Sequence, residues 1–324
     1  MAKILSVGEA TLDCFMFVSD ANVHCSIDKS KCEFCLNYAD KVMADKMKFT
    51  VGGNAANTAV SFARLGLESF AYAVIGDDWS GDQIRHQLDR EKVSCDYLIV
   101  EKGQTSFTVG LVFQGERTLV IHHVPRNYQL PKFKPVDWIY LTNLGLDFQD
   151  SYRRVLHFAA DSQAKITFNP GTYQLKAGLK VLKPVLAKTE ALFLNKEEAQ
   201  LLTELPGSAS MRQLAEALYD LGPKIINVTD GPEGAYAFDG QRLLFCDIFP
   251  IEVVERTGTG DAYSSAFTAA LASGLEIEQA MRWGMANSAG VVNKIGPQEG
   301  LLTDEELASM LNKHRRVQPV EVGD

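Results

Sequence analysis

Short apolar runs alternate with amphipathic stretches along most of this chain, and that alternation constrains the fold more than any other feature. Lys3 to Val7 is an apolar run ending at Gly8, as a first buried strand would. Asn54 to Leu65 carries apolar residues at helical spacing and stops at Gly66. Phe70 to Ile75 reads as the next strand, and a helix is predicted from Ser80 to Glu91. Further buried strands are predicted at Trp138 to Leu141, Lys165 to Phe168, Ala191 to Leu194 and Lys224 to Val228, with an amphipathic helix from Ser208 to Leu221. Beyond Thr257 the pattern is helical almost to the end, broken near Gly274 and Gly296-Pro297. Strands separated by helices predict an α/β fold, with a mainly parallel sheet covered on both faces. Ligands of such sheets bind beyond the carboxyl ends of the strands.

Two regions break the alternation. Residues from about 14 to 50 are polar, cysteine-bearing and weakly periodic. Between about 95 and 123, Thr105 to Phe113 and Arg117 to His123 are β-rich and joined through Gln114-Gly115-Glu116, a hairpin signal. Such a hairpin either forms a small lid over the site or extends the main sheet at an edge. With 324 residues, the expectation is one domain over 1–324 with these two segments inserted.

Composition excludes several classes. A chain 46% hydrophobic and 23% charged packs a core rather than staying disordered. No stretch approaches the roughly 18 apolar residues of a membrane helix. Glu9 interrupts the start before a signal peptide's apolar region could develop, so a cytoplasmic location is expected. A formal charge of −9 argues against a nucleic-acid partner, whose phosphates call for a basic surface. The basic cluster Lys313-His314-Arg315-Arg316 reads as a solvated helix end. Six cysteines are too few for a disulfide scaffold in so long a chain. Cys25, Cys32 and Cys35 cluster beside His24, so a zinc site and packed free thiols are both open readings.

Chemistry concentrates at Thr257-Gly258-Thr259-Gly260-Asp261, which runs into a helix of small and apolar residues. Glycines there allow close backbone approach, and the amides of Gly258 to Asp261 could converge on an anion. A carboxylate beside bound phosphate suggests a proton acceptor for an attacking hydroxyl; a plain helix start with a favourable charge is the alternative. No Gly-x-x-x-x-Gly-Lys-Ser/Thr is present, and Tyr263 stands where a dinucleotide fingerprint would place its third glycine.

Taken together, these segments resemble the ribokinase-like (PfkB) carbohydrate kinase family over nearly the whole chain. The resemblance rests on Gly8-Glu9 followed by Asp13, Gly52-Gly53-Asn54-Ala55-Ala56-Asn57, Gly76-Asp77-Asp78-x-x-Gly81, Asn195-Lys196-Glu197-Glu198, Thr229-Asp230-Gly231-Pro232-Glu233-Gly234 and Gly258 to Asp261. It implies a three-layer α/β/α fold with a small β-rich lid, and an ATP- and Mg2+-dependent kinase acting on a sugar or nucleoside hydroxyl. It also implies roles. Asp13, Gly53 and Asn57 would hold the acceptor. Glu198 would organise magnesium-bound water and phosphate. Asn195, Thr229, Gly231 and Gly234 would follow the nucleotide, and Asn287 would line an adenine pocket. Gly258, Thr259 and Gly260 would form the anion hole beside Asp261 as base. Each residue also has a plainer reading: Asp13 as a turn former, Asn57 as a helix cap, Glu198 in a solvated first turn, the 229–234 glycines as a hairpin turn.

The chain departs from the family where Val254-Glu255-Arg256-Thr257 replaces the more frequent Val-Asp-Thr-Thr, which puts activation by K+ in doubt. Arg256 is placed to stabilise phosphate charge or to pair with a surface acid. His122 to Tyr128 could bring Arg126 or Asn127 to an acceptor, or form a rim loop. Asn169-Pro170-Gly171 is read as a rim position. For a nucleoside kinase, Phe15, Phe17 or Phe107 would stack on the base. A homodimer through the lid, and a ligand-binding member of the fold without turnover, are the remaining expectations.

Overall fold

The computed structural model describes residues 1–26, 32–114 and 116–323. Its strands are β1 (Lys3–Val7), β2 (Thr11–Val18), β3 (Asn22–Cys25), β4 (Cys32–Cys35), β5 (Ala44–Gly52), β6 (Glu68–Gly76), β7 (Ser94–Glu101) and β8 (Phe107–Phe113). There follow β9 (Glu116–His122), β10 (Trp138–Leu141), β11 (Lys165–Phe168), β12 (Thr189–Asn195), β13 (Ile225–Thr229), β14 (Ala235–Phe238), β15 (Leu243–Cys246) and β16 (Val320–Glu321). The helices are α1 (Asn54–Arg64), α2 (Trp79–Arg90), α3 (Phe148–Ser162), α4 (Thr172–Ala177), α5 (Leu179–Leu186), α6 (Lys196–Thr203), α7 (Met211–Tyr219), α8 (Thr259–Ala272), α9 (Ile277–Val292) and α10 (Asp304–Lys313).

The main sheet runs β16-β15-β14-β13-β12-β11-β10-β1-β6-β7. Every neighbouring pair from β13 to β7 is parallel. β14, β15 and β16 add an antiparallel edge that the apolar pattern does not announce. From β1 the chain builds outward to β6 and β7, then returns to β10 and builds the other way. The order therefore reverses between β1 and β10, where an open α/β sheet leaves a crevice beyond its carboxyl ends. Successive side chains of β1 face opposite layers, as a strand buried on both sides requires. Leu5 and Val7 pack in one core with Phe148 and Val155 of α3 and Leu182 of α5. Ile4 packs in the other with Phe62 of α1, Phe267 of α8 and Met281 of α9.

The lid is a separate sheet, β5-β2-β8-β9, which decides between the two placements left open for the hairpin. Its limits differ from expectation at both ends. β2 already begins at Thr11, and β7 belongs to the main sheet, with Tyr97 buried against Phe70 and Phe133. Residues 27–31 of the first inserted segment and Gly115 of the hairpin turn lie outside the described residues.

The cysteine cluster takes neither expected form. β3 and β4 pair antiparallel with Cys25 opposite Cys32, and the two are joined as a disulfide. Cys35 lies opposite Asn22 at the other end of this ladder, so the three sulfurs cannot gather on one ion. Among the described residues no three His, Cys, Asp or Glu side chains assemble into a metal cluster, and no helix is long and apolar enough to cross a membrane.

Candidate active site

The start of α8 is the centre of the site. Its body is mostly alanine and serine, so α1 and α9 approach closely; Ser265 of α8 donates to Ser61 of α1 at 2.7 Å. Gly258 caps this helix at φ 79°, and a Cβ there would lie 2.6 Å from Cβ of Pro297. The turn needs glycine on both counts. The Thr259 amide leans to the Arg256 carbonyl at 3.4 Å. The amides of Gly260 and Asp261 meet no acceptor among the described residues. They point out of the helix N-terminus, where backbone donors and the macrodipole favour an anion.

Asp261 stands at the junction of two spaces. On one side is a cavity of about 220 Å³ lined by Asn169, Asn195, Glu198, Thr229, Gly258, Gly260 and Asp261. On the other is a cleft of about 540 Å³ under the lid, lined by Asp13, Gly53, Asn57, Thr108, His123, Asn143, Gly258 and Asp261 among others. Asn57 Nδ2 donates to Asp261 Oδ2 at 2.8 Å, while Asn57 Oδ1 accepts from Gln298 at 3.1 Å. Burial pushes the Asp261 carboxyl up to about 7, against hydrogen bonds from Asn57 and Asn54 that favour its charged form. A group ionising near neutrality, open to both spaces, is poised to accept a proton.

The smaller cavity has the character of a phosphate site. Asn195 and Glu198 close a capping box at the start of α6. The Glu198 amide donates to Asn195 Oδ1 at 2.8 Å, and the Asn195 amide to Glu198 Oε2 at 2.9 Å. Burial raises the Glu198 carboxyl, and among the described residues only its Oε2 is hydrogen-bonded. One carboxylate with a free oxygen suits an outer contact to magnesium water, because Mg2+ is ordinarily held by phosphates and water with few protein ligands. Beyond this cavity an apolar slot is lined by Gly231, Phe249, Ile251, Met285, Ala289 and Val292, with Arg256 and Thr259 at its edge.

Two expectations fail here. Asn287 is fully buried and faces away from the slot. Its Nδ2 donates to Ser61 Oγ and the Ala262 carbonyl, and its Oδ1 accepts from the Leu302 amide, so it braces α1, α8 and α9. The face of α9 that lines the slot carries Met285, Ser288, Ala289 and Val292 instead. Gly234 turns the chain back into β14 against the Cys246 carbonyl and lines none of these spaces, whereas Thr229 lines the smaller cavity and Gly231 the apolar slot.

The acceptor cleft holds Asp13, 8% exposed, whose Oδ1 accepts from Thr11 Oγ1 at 2.9 Å. Burial lifts its carboxyl to about 6, offset in part by hydrogen bonds from Thr11 and Thr108. A second polar group, which the sequence reading did not single out, surrounds Glu9. Tyr128 donates to its Oε1 at 2.8 Å, His123 approaches the same oxygen at 3.1 Å, and Asn143 donates to Oε2 at 2.9 Å. The Glu9 carboxylate holds the His123 imidazole above its usual range, and the ring stacks on Tyr173. Arg126 does not reach the cleft. Its side chain is 4% exposed and bound to Glu101 and the Gln104 carbonyl. Of that stretch, His123 is the residue that lines the cleft. Asn169 lines the phosphate cavity and donates to the Phe193 carbonyl at 2.9 Å.

The chain is similar to known proteins in sequence and in fold. The profile of the pfkB family carbohydrate kinases matches residues 1–304. The chain is 27% identical to the ribokinase of Bacillus subtilis over 285 residues, 84% of this chain and 92% of that protein. The structure of Arabidopsis thaliana ribokinase complexed with ribose and ATP superposes with a TM-score of 0.78 at 19% identity, covering 96% of this chain and 98% of that one. The nucleoside kinase of Methanocaldococcus jannaschii superposes at 0.76 and 20% identity, covering 97% and 99%.

Proposed function

This chain belongs to the pfkB family of carbohydrate kinases, and from that premise we propose that it moves the γ-phosphoryl group of Mg-ATP onto a hydroxyl of a sugar or sugar derivative. At the coarser level it is a sugar or nucleoside kinase of the ribokinase family, a phosphotransferase with an alcohol acceptor.

One observation carries the finer reading: Asp261 lines both the phosphate-type cavity and the acceptor cleft. The acceptor hydroxyl gives its proton to the Asp261 carboxylate as its oxygen bonds to the γ-phosphorus, and the bond from phosphorus to the bridging oxygen breaks to release ADP. The amides of Gly260 and Asp261 hold charge on the transferring group, where each such donor is worth about 2.7–4 kcal/mol of barrier. Hydrogen bonds from Asn54 and Asn57 orient the carboxylate and favour its charged form against the effect of burial. Magnesium, when bound, neutralises phosphate charge, with Glu198 and Asn195 beside it. The adenine ring would lie in the slot between Phe249 and Met285, and Arg256 would face the phosphates from its edge.

The cleft favours a polyhydroxylated acceptor. Asp13, Thr11, Thr108, Asn57 and Asn143 offer polar atoms at several depths. A nucleoside would need a free aromatic face, but Lys46 covers Phe17, Phe107 packs against Phe49, and Tyr173 already stacks on His123. Of Phe15, Phe17 and Phe107, Phe15 lines the cleft, and it is 1% exposed. Exposed Met47, Phe49 and Val120, on the lid face turned away from the cleft, would form the surface on which a second copy pairs. The test is an acceptor screen with Mg-ATP and ADP detection across ribose, fructose, 2-keto-3-deoxygluconate, phosphosugars and nucleosides. A sugar or sugar acid is expected to raise ADP formation well above that of Asp261→Asn. Acceptors that bind without raising it would identify a non-catalytic member, and a nucleoside as sole acceptor would overturn the sugar assignment.

A further inference from the structure

We propose that Arg117 is a positioning residue through which closure of the lid sets the anion-binding turn; the inference rests on the kinase reading above. It starts from Glu255, a carboxylate only 5% exposed and three residues before Gly258. A buried carboxylate costs several kcal/mol unless it is paired and fully hydrogen-bonded, so its partners identify what it is for. Arg117 Nη1 meets Oε1 at 2.8 Å. The Thr257 amide donates to the same oxygen at 2.6 Å, as does the Thr257 hydroxyl. The Gly296 amide donates to Oε2 at 3.3 Å.

One carboxylate therefore ties together three segments. Thr257 leads directly into the Gly258–Asp261 turn. Gly296 precedes Pro297, the residue against which Gly258 is pressed. Arg117 belongs to β9, in the lid, and supplies the only cation of the three. A second lid side chain ends on the same loop: Lys48 Nζ donates to the Ile295 carbonyl at 2.8 Å and pairs with Glu299 at 3.2 Å. The Arg117 contact is the better shielded of the two, because its carboxylate partner is buried whereas Glu299 is half exposed.

The consequence follows from the asymmetry of buried pairs. Lifting β9 removes the guanidinium but leaves the carboxylate buried, and removing one partner of such a pair is far more costly than the pair is worth. Glu255 then has to turn toward solvent, and Thr257, held by two hydrogen bonds to it, moves with it. The amide turn reaches working geometry only under a closed lid, so phosphoryl transfer waits until the acceptor is covered and water is shut out.

The test compares the full-length protein with Arg117→Ala and Arg117→Lys, folding being checked by thermal melting. Hydrogen exchange without ligands is followed at the amides of residues 256–262. Arg117→Ala is expected to accelerate it, and Arg117→Lys, which keeps the charge, to restore much of the protection. In turnover, Arg117→Ala is expected to lower kcat about 10- to 100-fold, the scale of a small misplacement of catalytic groups. The Kd for Mg-ADP by calorimetry is expected not to change, and the lysine variant to recover part of kcat. Unchanged exchange, or a loss confined to the acceptor KM, would overturn the proposal and leave Arg117 as a lid contact only. If the wild-type protein formed no ADP with any acceptor, the kinase reading would fall on its own, and the exchange result would still decide whether lid and turn are coupled.

Discussion

Asp261→Asn lowers kcat about 10²–10⁴-fold, the usual worth of a positioned general base. The substitution keeps the shape of the side chain and an acceptor for Asn57, whose Nδ2 lies 2.8 Å from Asp261 Oδ2. Binding of Mg-ADP and of the acceptor is therefore expected to persist, and the loss to appear in kcat rather than KM. The same variant carries a stability signature. The Asp261 carboxyl is raised from 3.8 to about 7 by burial, so the folded state holds its proton more tightly than the unfolded chain does. That contribution is fully present below the unfolded pKa and is lost as pH rises through about 7. Above neutrality the ionised carboxylate weakens the fold, and Asp261→Asn is expected to raise Tm there. Below about pH 4, where both states are protonated, the two proteins should melt together. A variant that loses activity while gaining stability distinguishes a strained catalytic group from a structural one.

Gly258→Ala is expected to lower kcat about 10²–10³-fold, as loss of an anion-hole donor does. Two independent facts force the turn to move. The backbone sits at φ 79°, and the new methyl would lie 2.6 Å from Pro297 Cβ and 2.8 Å from its Cα. Rotation away from that conformation withdraws the amides that point from the start of α8, and the strain should cost about 1–3 kcal/mol of stability. Gly260→Ala provides the contrast, since among the described residues nothing beyond its chain neighbours and its own helix backbone lies within 4 Å of a Cβ at that position. Its Tm should stay unchanged, and any loss of turnover there reports crowding of the bound nucleotide. Enzyme kinetics and thermal melting of the two variants side by side check both statements.

The parts of the site legible in the sequence are those where one short segment carries both the local geometry and the chemistry. Gly258 to Asp261 is such a segment, since the glycine that allows the turn and the carboxylate that uses it are three residues apart. Asn195 and Glu198 are another, one turn of helix apart and bonded to each other. Asn287 was misplaced because its role depends on which face of α9 meets the slot. That face carries Met285, Ser288, Ala289 and Val292 at three- and four-residue spacing, and Asn287 lies off that row. The network around Glu9 joins residues from the turn after β1, the stretch before β10 and the loop after it, so no local pattern announces it. Arg117 and Glu255 are likewise distant in sequence and meet only because the lid folds over the turn. The cysteine cluster was misread because spacing alone cannot tell a ligand set from a hairpin; the β3–β4 register places Cys25 opposite Cys32 and carries Cys35 away.

The pH dependence of kcat/KM for the acceptor tests the central claim most directly, because it reports groups of the free enzyme. With Asp261 acting as an ionised base, kcat/KM should rise with pH through an apparent pKa near 7. Asn57→Ala should move that limb upward, since the Asn57 hydrogen bond favours the charged carboxylate. The residual activity of Asp261→Asn should lack the limb. A wild-type profile flat across neutrality, or the same limb surviving in Asp261→Asn, would contradict proton transfer to this carboxylate.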